Sequence, residues 1–99
     1  MIRILSFSTN RDILPVMDRL VNKQEGWEGR RAADLATAER LLDEEDFDLV
    51  LLGAGTGEAE LQHLRARTQV QGKAVRFVVH YGGGSGLLYN EVAAALATD

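Results

Sequence analysis

The segment Phe47-Asp-Leu-Val-Leu-Leu-Gly53 constrains the fold more than any other part of the chain. Its run Leu49-Val-Leu-Leu52 has no polar side to offer water, so a strand made of it must be covered on both faces. A sheet with one wet face would show strict alternation of apolar and polar residues instead. The chain therefore needs a central parallel strand with helices packed above and below it. A glycine, Gly53, closes that strand.

The flanking segments supply the partners. Apolar spacing predicts strands over residues 2–7, 27–32, 48–52 and 74–81, and helices from about residue 13 and over 34–45, 58–67 and 87–97. Asp12 stands where it can cap the first helix, which places Pro15 in the first turn, where a missing N–H costs nothing. The second strand carries Gly29 and alternating charges and suits an edge. Ninety-nine residues allow one domain, 1–99, near the lower limit for a sheet with helices on both faces. The β-α alternation with short links predicts a parallel sheet joined by right-handed crossovers.

The helical run Asp34-Leu-Ala-Thr-Ala-Glu-Arg-Leu-Leu-Asp-Glu-Glu45, followed by the apolar strand, resembles the receiver domains of two-component response regulators. The resemblance implies a small flavodoxin- or receiver-like three-layer α/β sandwich. Its four-stranded parallel sheet would have the order 2-1-3-4, one strand and one helix short of a complete receiver. It also implies where receiver chemistry would sit. Receivers end the third strand in a phosphoacceptor aspartate, and Gly53 holds that position here. They carry an acidic pair after the first strand to hold magnesium, and Ser8 and Thr9 stand there. Their hydroxyl residue after the fourth strand falls on His80. A hard divalent cation needs carboxylate oxygens to repay its dehydration, so neither a metal site nor phosphotransfer is expected. The resulting expectation is a non-catalytic pseudo-receiver without a cofactor, a regulatory or protein-interaction module rather than an enzyme.

Two glycine-rich loops offer an alternative. Gly53-Ala-Gly-Thr-Gly57 and Gly82-Gly-Gly-Ser-Gly86 each follow a strand and open a helix, so both would lie at the carboxyl edge of the sheet. Backbone N–H groups at helix starts can cradle a phosphate-bearing or other small anionic ligand. Gly53, Gly55, Thr56, Gly57, His80, Gly82, Gly83, Gly84 and Ser85 are the candidate binding residues. No lysine follows the glycines as in a P-loop. The string Leu-Leu-Gly-Ala-Gly-Thr-Gly-Glu also resembles the first motif of S-adenosylmethionine methyltransferases. Those enzymes close the next strand with an acid, where His80 and Tyr81 stand here. A third possibility is a very small enzyme using His80 as general base, although no nucleophile pairs with it by spacing.

Charge and composition narrow the partners. Eleven basic and fifteen acidic residues give a net charge of -4 with no basic stripe, which argues against nucleic acid as partner. Cysteine is absent, which fits a reducing compartment, and no apolar run reaches membrane-spanning length, so a cytoplasmic location is expected. With one receiver unit missing, the fourth strand is expected to lie open at the sheet edge. A twofold homodimer, or a like-sized protein partner, would cover it. Val75, Phe77, Val79 and Tyr81 of that strand, with Leu88, Val92 and Leu96 of the last helix, are the expected interface.

Overall fold

In the computed structural model, which describes residues 1–80 and 85–97, Leu49–Leu52 forms strand β3 and none of its side chains is more than 1% exposed. Around it the described residues form β1 (Ile2–Phe7), α1 (Ile13–Lys23), β2 (Trp27–Ala32), α2 (Leu35–Glu44), α3 (Glu58–Val70), β4 (Arg76–Val79) and α4 (Ser85–Leu96). The strands pair in parallel in the order β2-β1-β3-β4, with Ile4 opposite Leu49 and Leu49 opposite Arg76. This is the small flavodoxin-like α/β fold expected from the sequence.

Strand alternation sorts the core into two layers. On one face Leu5, Phe7, Val50 and Leu52 pack with Ala38 and Leu42 of α2 and Leu61 and Leu64 of α3. On the other, Ile4, Leu49 and Leu51 pack with Met17 and Val21 of α1 and Leu88 and Val92 of α4. Two helices per face are therefore enough to bury β3, and no second subunit is needed to cover it. The same packing moves two of the expected interface residues: Leu88 is 1% exposed and Val92 0%, so both are used inside the subunit. Val75 and Phe77 are partly buried against the α2/α3 layer and Leu96 against the α1/α4 layer, while Val79 is exposed. Tyr81 lies outside the described residues.

Helix starts also differ from expectation. Asp12 already has helical backbone angles and makes no capping bond. Asn10 does the work, its Oδ1 accepting from the N–H groups of Asp12 and Ile13 at 2.9 and 3.1 Å. Asp34 caps α2 through the Thr37 N–H at 2.7 Å, and that bond holds its carboxyl below the usual carboxylate range.

Two acids near the end of α2, Asp43 and Glu45, are bound by arginines from other elements. The Arg3 guanidinium donates to Glu28 at 3.0 Å, to Glu45, and to the Asp46 carbonyl at 3.1 Å, and it lies 5.0 Å from the centre of the Phe47 ring. Arg67 of α3 grips Asp43 of α2 with two bonds, at 2.9 and 2.5 Å. Hydrogen bonding to Arg3 holds the Glu45 carboxyl below its ordinary value of 4.5, and Arg67 does the same for Asp43 below 3.8. The unfolded chain therefore takes up these protons before the folded one does. Their contribution to stability is complete above the ordinary carboxylate values and is lost as pH falls through the lower folded values. Acid titration of the folded fraction should show stability falling below about pH 4.5, with a shallower fall in Glu45→Gln. Identical slopes in the two proteins would show that the Arg3–Glu45 bond does not contribute.

Candidate functional site

Because β1 and β3 are neighbours in register, with Phe7 opposite Leu52, the loops leaving them meet at the carboxyl edge of the sheet. Gly53 donates its N–H to the Phe7 carbonyl at 2.8 Å, which continues the pairing one residue past β3. Ser8 is fully buried there. Its Oγ donates to the Ala54 carbonyl at 2.6 Å and accepts from the Asn10 N–H at 3.1 Å. The hydroxyl therefore ties the two loops together rather than facing an open site.

Gly53 is also buried, and Met17 of α1 fills the space in front of it. A β-carbon added to Gly53 would stand 2.5 Å from Met17 Sδ, closer than such atoms approach without a shift, and 3.2 Å from Ser8 Cβ, a tight contact. Next along the loop, Gly55 takes φ +84°, a conformation that favours glycine, and a β-carbon there would lie 1.8 Å from Thr9 Oγ1. Gly53 thus lies against Met17 and Ser8, and Gly55 lies against Thr9.

The polar groups of the first glycine loop are largely engaged within the chain. The Thr56 Oγ1 and N–H both bond the Gly53 carbonyl, at 2.6 and 3.3 Å, which closes a tight turn. Glu60 accepts from the Gly57 N–H at 3.2 Å, so a carboxylate of the chain itself caps the start of α3. Glu58 adds a second acid in the same turn and lines a cavity of about 170 Å³ with Leu52, Thr56, Leu61 and Val79. Of the second loop, Gly82, Gly83 and Gly84 lie outside the described residues, as does the side chain of Ser85.

His80 has a partner that spacing did not reveal. Its Nδ1 lies 2.5 Å from Glu91 Oε1 of α4, and its side chain is 7% exposed, while its N–H bonds the Leu52 carbonyl at 2.7 Å. The signal in the sequence was a single acid set between the core residues Leu88 and Val92. The pair joins the end of β4 to α4, and no nucleophile lies on it among the contacts of the described residues. His63, by contrast, sits half-exposed on α3 against Glu39 at 3.2 Å. On α4, Tyr89 stacks on Trp27 at the start of β2, with ring centres 5.4 Å apart and planes 15° from parallel. No helix among the described residues is long and apolar enough to cross a membrane.

No protein-family model and no curated protein sequence matches the chain. Among solved structures, a protein assigned to pilus assembly, CpaE from Burkholderia thailandensis, superposes on it with a TM-score of 0.63 and 21% identity. The match covers 96% of this chain and 80% of that one. Likeness at that identity shows a shared fold.

Proposed function

We propose that this chain is a receiver-like module that takes no part in phosphoryl transfer and acts by binding another protein. One observation carries the reading: the sulfur of Met17 lies 2.5 Å from where a β-carbon of Gly53 would be, so the acceptor position is filled as well as unsubstituted. The surroundings support it. Ser8 and Thr9 stand where a receiver would hold magnesium, and neither supplies an anionic oxygen. Without the acceptor or the cation, the fold keeps its surfaces for recognition, and the partner is a second protein or a second copy of this chain.

Incubation with acetyl phosphate and magnesium, followed by intact-mass measurement, tests the absence of acceptor chemistry. No phosphoryl adduct is expected. A stoichiometric gain of one phosphoryl group would refute the reading.

A further inference from the structure

The sheet ends at β2, and its outer edge can be followed bond by bond. Ile2 and Ser8 donate to the carbonyls of Gly26 and Ala32. In the register Ile2 opposite Trp27 to Phe7 opposite Ala32, the even-numbered peptide groups of β2 therefore face β1 and the odd-numbered ones face outward. Two of the outward N–H groups are already satisfied. Trp27 donates back to the Gln24 carbonyl at 3.2 Å, and Gly29 donates to Asn22 Oδ1 of α1 at 2.7 Å. The Arg31 N–H and C=O remain, together with the Trp27 and Gly29 C=O, without a partner among the described residues.

Beyond this edge lies a groove of about 410 Å³ between α1 and α2, onto which Arg30, Arg31 and Arg40 converge. Strand alternation places Arg31 on the α1 side, as it does Gly29, and Arg30 on the α2 side, where it meets Glu45 at 3.4 Å. The acids in the lining are already engaged: Glu45 binds Arg3 and Arg30, and Asp18 accepts from the Asn22 side chain at 3.2 Å. Arg31 and Arg40 are exposed, and Arg31 has no ion pair among the described residues. In a chain of net charge -4, this edge holds a local surplus of guanidinium.

We infer that this edge accepts an extended acidic segment of a partner protein, laid alongside β2 as a short added strand. The inference rests on the interaction-module reading and supplies the chemistry of the partner. The Arg31 N–H and the Gly29 and Arg31 carbonyls bond the backbone of the segment, in the manner of strand addition to a sheet edge. Its alternate side chains then point to opposite faces, one set toward Arg31 and the other toward Arg30 and Arg40, where carboxylates form charge-assisted bonds. A free phosphate could meet the guanidiniums but is too small to span the successive N–H and C=O groups of the edge, so the edge selects a peptide. Asn22 blocks pairing toward Trp27, which sets the register and keeps two copies of this chain from pairing along the whole edge.

Fluorescence anisotropy with a labelled peptide repeating Glu-Glu-Val-Val, which carries Glu on both faces of a strand, tests this on the whole chain. Binding is expected, and it should weaken as ionic strength rises. Arg31→Glu with Arg40→Glu, both at exposed positions, should lower affinity about tenfold or more, and Arg40→Glu alone should lower it by less. A peptide repeating Lys-Lys-Val-Val, and the acidic peptide N-methylated at every residue, should both fail to bind. Four outcomes would overturn the inference: no binding of the acidic peptide, equal binding by the reversed-charge variant, equal binding of the N-methylated peptide, or displacement by inorganic phosphate at constant ionic strength. Any of them, with no phosphoryl adduct from acetyl phosphate, would remove this docking edge and leave the non-phosphorylated module reading standing.

Discussion

Gly53→Asp is expected to cost about 3–5 kcal/mol of folding stability and to install no phosphate acceptance, because it places an unpaired carboxylate in a buried site. The new β-carbon alone would meet Met17 Sδ at 2.5 Å and Ser8 Cβ at 3.2 Å. Met17 is flexible at its tip, but it is 1% exposed and packed in the α1/α4 layer, so it has little room to withdraw. Gly53→Ala should therefore cost about 1–3 kcal/mol from overpacking. Met17→Ala should cost about 2–5 kcal/mol from the cavity it leaves. Combined, the two changes compensate, since the methyl added at residue 53 enters space vacated by the sulfur, and the double variant should lose less than the sum. Urea denaturation of the four proteins measures this coupling. Strict additivity would show that Met17 is not what closes the site, and a stable Gly53→Asp protein would show that the edge can open.

Leu88→Ala should cost about 2–5 kcal/mol, the effect of emptying a fully packed leucine site. Leu88 is 1% exposed and belongs to the layer with Ile4, Met17, Leu49 and Leu51. The sequence pattern also suits a contact to a second subunit, and the two roles give different concentration dependence. A core residue shifts the denaturation midpoint equally at every protein concentration, whereas an interface residue in an obligate dimer makes the midpoint rise with concentration. Denaturation at low and high micromolar protein should give the same Leu88→Ala shift. A loss that grows on dilution would return Leu88 to an interface. Light scattering on the unmodified protein then separates a homodimer held by other surfaces from a monomer that waits for a different partner.

Much of the architecture was legible because it depends on local period. A run apolar at every position, Leu49-Val-Leu-Leu52, permits only a strand covered on both sides, and helix spacing around it supplies the cover. Val75 and Phe77 fall on one layer and Val78 on the other, as period two requires. Other features were present but ambiguous. Asn10 and Asp12 are both good capping residues two apart, and only the backbone angles at Asp12 show that the helix has already begun there. The glycines of residues 53–57 announce a tight turn equally well whether their N–H groups meet a ligand or, as at Gly57, a carboxylate of the next helix.

The sequence by itself determined the order of strands and helices, the burial of the central strand on both faces, and the absence of a carboxylate at Gly53, Ser8 and Thr9. These follow from residue type and from repeats of two and 3.6 residues, which any stretch of chain carries within itself. Tertiary structure decided that Met17 fills the space before Gly53, that His80 pairs with Glu91, that Leu88 and Val92 face inward, and that Arg31 is left at an open edge. Each depends on where one element lies against another that is distant in the chain, as with Arg3 and Glu45, 42 residues apart. Periodicity tells which side of a helix is apolar, but the crossovers and the packing of side chains into a dense core choose which atom it touches.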